Sequence, residues 1–127
     1  IRCHGMGCKD DGLAVVFSKD IPSMVRKKFK KVIDDFFYKN NIKFEDIDSF
    51  VCHPGGIKVI EALEDIFNLN EGGLELSREV LTNYGNMSAV TVLFVLEKAL
   101  KKYSKAIHLV TSLGPGFTAG FLTINQQ

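Results

Sequence analysis

Between Met87 and Leu100 the chain is apolar almost all the way round: Ala89, Val90, Val92, Leu93, Phe94, Val95 and Leu96 follow one another nearly without interruption. The run is too long for a typical strand, and it closes in the helix formers Glu97-Lys98-Ala99-Leu100-Lys101-Lys102. A helix with no polar face is a buried one, so the pattern predicts a central helix covered on both sides.

The other segments provide material to cover it. Leu13-Ala14-Val15-Val16-Phe17 is a short apolar run rich in β-formers and predicts a strand. Pro22 suits the first turn of a helix, and Val25, Phe29, Val32, Ile33 and Phe36 follow at helical spacing until Asn40-Asn41 breaks the pattern. Ser49 to His53 predicts a second strand, ended by Pro54-Gly55-Gly56. A helix from about Ile57 then presents Ile60, Leu63 and Phe67 on one face. Asn70 to Gly73 is a loop, and Leu74 to Leu81 a short helix. After the central helix come strands over Ala106 to Thr111 and Phe117 to Ile124, joined by Leu113-Gly114-Pro115-Gly116. The order β-α-β-α-(α)-α-β-β implies a mixed sheet. Right-handed crossovers place its first strands parallel, with helices covering the sheet. No repeat or linker divides the chain, so residues 1–127 read as a single α/β domain, a size that supports one core and not two.

Charge and composition exclude several function classes. A formal net charge of +1 gives no electrostatic case for nucleic acid or an anionic membrane. The run Arg26-Lys27-Lys28-Phe29-Lys30-Lys31 is basic but lies inside an apolar pattern of helical period, as the solvated face of a helix does. No stretch of about 18 apolar residues occurs, so no membrane span is expected. No signal peptide is visible, and Ile1 in place of Met suggests a natural start further upstream. Three cysteines do not make a disulfide framework, and a reducing, cytoplasmic setting is expected. Cys3, His4 and Cys8 lack a fourth ligand and the C-x-x-C spacing of zinc sites, so no metal is assigned to them.

Cys52 and His53 look at first like a nucleophile beside its base. On a strand, however, neighbouring side chains point to opposite faces, so Cys52 reads as a small core residue and not as the partner of His53. His53 ends a strand where the chain turns into a helix, the edge at which open α/β sheets bind ligands. A structural histidine and a functional one are both open on spacing alone. Gly55 and Gly56 remove side chains where another group can approach. In Asn83-Tyr84-Gly85-Asn86-Met87-Ser88 a polar turn delivers Asn86 to the start of the apolar helix. Asn86 is either that helix's N-cap or an amide donor aimed into a pocket, and the Ser88 hydroxyl either joins it or satisfies the first turn.

Taken in order, three segments look like one family. His53-Pro54-Gly55-Gly56, then Asn83 to Ser88 leading into Val92-Leu93-Phe94-Val95-Leu96-Glu97, then Gly114-Pro115-Gly116, resemble the type III polyketide synthases. These are the chalcone and stilbene synthase-like members of the thiolase superfamily. Gly12-Leu13 followed by Ser18-Lys19-Asp20-Ile21-Pro22 fits the same pattern. The resemblance runs from about Gly12 to Ile124 and covers the carboxyl-terminal half of such an enzyme, without its amino-terminal half. It implies a thiolase-like α/β half: a mixed, mostly parallel sheet covered by helices, with a central buried helix.

The resemblance also implies an activity, acyl transfer by decarboxylative condensation of malonyl-CoA onto an acyl-CoA starter. His53 and Asn86 match the last two members of the family's Cys-His-Asn triad. The cysteine nucleophile belongs to the missing half, and none of Cys3, Cys8 and Cys52 stands in its context. This chain alone is therefore expected to be inactive. Gly55, Gly56, Ser88 and the loop Leu113-Gly114-Pro115-Gly116 are the implied substrate-binding positions. Where the family carries G-F-G-P-G, this loop begins Ser112-Leu113. No cofactor is implied beyond the CoA thioester substrates. The implied partners are acyl-CoA, malonyl-CoA, the amino-terminal half and a second copy in a homodimer of the complete enzyme. An apolar face is expected to lie open where the other half would pack.

Two other readings compete. One is a ketoacyl synthase III-like enzyme acting on carrier-protein thioesters; H-P-G-G argues against it, since those enzymes usually carry glutamine and alanine after the histidine. The other is a free-standing, non-catalytic domain that binds an acyl-CoA or a partner protein, which would follow if the gene encoded only this segment.

Overall fold

In the computed structural model, which describes residues 6–9, 12–15, 23, 25–70, 72–114 and 118–127, the first strands form a small sheet of their own. Strand β1 (Met6–Lys9) pairs antiparallel with β2 (Gly12–Val15). The strand expected over Leu13–Phe17 is therefore present as β2, but it does not lie parallel beside the strand that follows in sequence. Only two residues separate Lys9 from Gly12, and a link that short joins antiparallel neighbours only. Val16, Phe17 and Pro22 lie outside the described residues.

A π-helical turn (Val25–Phe29) runs into helix α1 (Lys30–Lys39). Val25, Phe29 and Ile33 are buried, while Arg26, Lys27, Lys28, Lys30 and Lys31 face solvent, so the basic run is a solvated face. Val32, placed with the apolar set by spacing, is 40% exposed. The helix stops where the two asparagines stand. Asn40 donates through its side chain to the Phe36 carbonyl at 2.8 Å, and Asn41 takes a left-handed φ of 53° that asparagine tolerates better than most residues.

A 3₁₀ turn (Phe44–Asp46) leads into β3 (Ser49–Cys52), followed by α2 (Ile57–Ile66) and α3 (Glu75–Tyr84). A second 3₁₀ turn (Ser88–Val90) opens α4 (Thr91–Lys102), and β4 (Ala106–Gly114) and β5 (Thr118–Gln126) complete the fold. The main sheet has the order β3-β4-β5 and is mixed. β3 is parallel to β4, with Ser49 opposite His108 and Cys52 opposite Thr111; β4 is antiparallel to β5.

Alternation along these strands divides the core between the two faces of the sheet. Cys52 and Leu109 pack with Val25, Phe29, Ile33, Ile60, Leu63 and Phe67 beneath α1 and α2. Val51 and Val110 pack with Val80, Val92, Val95 and Ala99 beneath α3 and α4. His108, fully buried on this second face, shares a 2.8 Å hydrogen bond between Nε2 and Gln126 Oε1, and the Gln126 amide donates to the Leu100 carbonyl at 3.1 Å.

The apolar run at 87–100 departs from its expectation in one respect. Helix α4 is buried on one side only: Val92, Val95 and Ala99 cover the sheet, whereas Val90, Leu93 and Phe94 are 49%, 58% and 37% exposed. Tyr84 packs on the outward-facing Phe94, ring centroids 5.4 Å apart. Among the described residues, no helix is long and apolar enough to cross a membrane.

Candidate active site

The end of β3 positions the histidine. His53 stands one residue beyond the strand, yet its N–H still donates to the Thr111 carbonyl at 3.0 Å, so the sheet ladder fixes its backbone. The Gly55 N–H then donates to the His53 carbonyl at 3.0 Å, closing a tight turn around Pro54 before α2 begins. One residue earlier, the Cys52 carbonyl accepts a 2.7 Å hydrogen bond from the buried hydroxyl of Ser77 in α3. The strand end is thus held from β4 and from α3 together.

Cys52 is fully buried on the α1–α2 face. Burial pushes its thiol up to about 12; the Thr111 hydroxyl hydrogen bond opposes this and the charge of Glu64 adds to it. A thiol held neutral is no nucleophile, so the alternation argument against a Cys52–His53 pair holds.

His53 is half-buried. Its Nδ1 is enclosed and has no hydrogen-bond partner among the described residues. Desolvation lowers the imidazole pKa below its ordinary 6.5, which favours the neutral ring at neutral pH. With Nδ1 shut in, Nε2 is the nitrogen left to meet a ligand.

Asn86 reaches the same place from the other side. Its Nδ2 donates to the Gly55 carbonyl at 3.3 Å, and a Cβ built on Gly55 would stand 3.9 Å from His53 Nε2. Imidazole and carboxamide therefore flank one glycine. Asn86 is not the N-cap of α4, which starts five residues later at Thr91 after the 3₁₀ turn. Instead its Oδ1 accepts the Ser88 N–H at 2.9 Å, a local side-chain turn of the kind asparagine favours.

Of the other expected site residues, Gly55 and Gly56 are partly buried, and the Cβ position of Gly56 has nothing within 4 Å. Ser88 is exposed beside Asn86. Leu113 and Gly114 belong to β4 and not to a loop: Leu113 pairs with Ala119 and packs into the α1–α2 side of the core, and Gly114 pairs with Thr118. They continue β4 past Thr111, so they lie at the same sheet edge as His53. Pro115 and Gly116 lie outside the described residues, as do Cys3 and His4. Among the described residues no group of three or more His, Cys, Asp or Glu is placed to hold a metal. Two hydroxyls at the site were missed in the sequence. Ser77 gave no signal, its partner being 25 residues away. Thr91 did give one, as the single polar side chain between Ala89 and Leu96.

A mixed sheet covered by helices, with His53 and Asn86 beside one glycine at the carboxyl end of β3, makes this an α/β domain, and its solved neighbours make the fold thiolase-like. PKS-I of the brown alga Ectocarpus siliculosus superimposes with a TM-score of 0.85 at 28% identity, over 96% of this chain and 35% of that one. The 1,3,6,8-tetrahydroxynaphthalene synthase of Streptomyces coelicolor A3(2), a bacterial type III polyketide synthase, shares the fold with a TM-score of 0.82 at 23% identity, over 96% and 36%. In sequence, a provisionally named chalcone synthase of Bacillus subtilis (strain 168) is 37% identical over 126 residues, which are 97% of this chain and 34% of that protein. The family model for the C-terminal domain of chalcone and stilbene synthases matches residues 5–125, and the chain belongs to that family. It spans about a third of the length of the relatives it matches.

Proposed function

We propose that this domain supplies the His and Asn of a Cys-His-Asn triad in a complete type III polyketide synthase that condenses malonyl-CoA onto an acyl-CoA starter. The observation that carries this reading is the meeting of the His53 ring and the Asn86 amide over Gly55. A cysteine from the amino-terminal part attacks the starter thioester, with its thiolate beside the His53 imidazole. Within this domain desolvation alone acts on His53; an adjacent thiolate works in the opposite direction and favours the imidazolium. When malonyl-CoA loses CO₂, negative charge develops on its thioester oxygen. Nε2 of His53 and Nδ2 of Asn86 then serve as oxyanion donors. The 3.3 Å bond from Asn86 to Gly55 is long, so exchanging it for a charged oxygen is favourable.

On this reading Gly55, Gly56, Ser88 and the β4–β5 turn, Leu113 to Gly116, line the substrate channel, and the outward face of α4 with Tyr84 docks the amino-terminal part. The substrates are CoA thioesters and no further cofactor takes part. A cytoplasmic homodimer is expected from the family likeness.

The test is His53→Ala in the full-length polypeptide, with CO₂ release from malonyl-CoA as the readout. Loss of one oxyanion donor costs about 10²–10³ in rate, and loss of the triad base adds to it. Near-normal decarboxylation by that variant would refute the assignment.

A further inference from the structure

The amide of Asn86 could point either way from an exposed turn, and the structure contains the device that decides its direction. Thr91 is fully buried, and its hydroxyl is used twice. It accepts the Met87 N–H at 2.8 Å and donates to the Ser88 carbonyl at 2.7 Å. Ser88, clamped between these bonds, takes a left-handed φ of 63° that a residue with a side chain rarely adopts. In that conformation its N–H points at Asn86 Oδ1, 2.9 Å away. The carboxamide oxygen is thereby occupied, and Nδ2 is left on the side of Gly55 and His53. A donor whose partner atom is already engaged needs no reorientation when charge develops in front of it.

We infer that Thr91 is a positioning residue for the Asn86 amide, acting through the Ser88 backbone, in the reaction proposed above. The inference rests on that reading of Asn86. It differs from a capping role for the first turn of α4, because a cap would affect activity only through stability. The hydroxyl matters here, not the methyl: Thr91→Ser keeps both hydrogen bonds, whereas Thr91→Val keeps the shape and loses them.

The experiment measures kcat and KM for malonyl-CoA decarboxylation in the full-length polypeptide carrying Thr91→Val, Thr91→Ser, Asn86→Ala, or Asn86→Ala with Thr91→Val. Misplacing one catalytic group by about an ångström costs up to about 100-fold, so Thr91→Val is expected to lower kcat about 10- to 100-fold with KM little changed. Thr91→Ser retains most of the wild-type rate. In the Asn86→Ala background, where there is no amide left to orient, Thr91→Val adds almost nothing. If Thr91→Val does not fold, Thr91→Ala takes its place in both backgrounds. Wild-type rates for the variant lacking the hydroxyl, or a loss that multiplies fully with that of Asn86→Ala, overturn the inference. An unimpaired Asn86→Ala enzyme overturns the reading beneath it instead, and the two failures are told apart by that one variant.

Discussion

The link between α2 and α3 is organised by a carboxylate that is almost wholly buried. Glu64 is 4% exposed and accepts from Arg78 Nη2 at 2.7 Å, from Arg78 Nε at 3.1 Å and from the Leu74 N–H at 3.3 Å. Changing Glu64 to Gln keeps the shape, removes the charge and sets an NH₂ donor among donors. Breaking a buried pair from one side costs about 3–5 kcal/mol. The Arg78 side chain is 27% exposed and can recover some hydration, which brings the expected loss to about 2–3 kcal/mol. With a urea m-value of about 2 kcal/mol/M, the unfolding midpoint falls by about 1 M or more. The double change Glu64→Leu with Arg78→Met removes both charges of this pair and should cost less than Glu64→Gln alone.

The same pair sets an acid limit. The Arg78 hydrogen bond, ahead of other causes, holds the Glu64 pKa below its ordinary 4.5. Between the lowered value and 4.5 the unfolded chain binds the proton more readily, so wild-type stability falls as pH drops through that window. The Gln variant has no such component. Urea titrations at pH 7 and pH 3.5 measure both effects. A loss below about 0.5 kcal/mol for Glu64→Gln, or a double variant as costly as the sum of its parts, refutes the argument that the charge is buried and paired.

Two further outcomes follow from the site. Cys52, fully buried with its thiol pushed up to about 12, stays unmodified when the native protein is alkylated at pH 8 and is labelled only after denaturation; peptide mass mapping reads the difference. In this domain on its own, His53 has its pKa lowered by burial, which favours the neutral ring in the native state. Stability is unaffected above the ordinary 6.5 and declines as pH falls below it, towards the lowered native value. Denaturation of wild type and His53→Gln at pH 7.5 and 5.5 checks this: the variant should lose less on acidification, and equal losses exclude the assignment.

What the sequence disclosed and what it hid differ in the range of the interaction. Strand β3, helix α2 and the β4–β5 pair are written in local periodicity: Ile60, Leu63 and Phe67 recur at helical spacing and all three are buried. His53 and Asn86 stood out as candidates because each sits in a short, glycine-marked turn. The pairing of β2 with β1 was not legible, because residues 1–9 have no clear alternation and a strand's partner is a tertiary fact. The one-sided burial of α4 was hidden for a related reason, since an apolar run reports that a surface avoids water and not what lies against it. The Ser77–Cys52 bond, spanning 25 residues, leaves no local trace. The left-handed Ser88 was equally hidden, because it is held by the buried Thr91 hydroxyl as well as by the Asn86 side chain.

The parallel register of β3 and β4 has a consequence for the time at which the site comes into being. β4 and β5 are separated by three residues and can zip together as a hairpin, an event of about 1–10 μs. β3 has to find β4 across the 53 residues of chain between Cys52 and Ala106, and that closure entropy must be met before any contact rewards it. The His53 N–H receives its partner, the Thr111 carbonyl, only at that step. The backbone of His53 is therefore expected to be fixed late in folding, and substitutions that weaken the β4–β5 hairpin are expected to delay its placement even where they leave the final geometry intact.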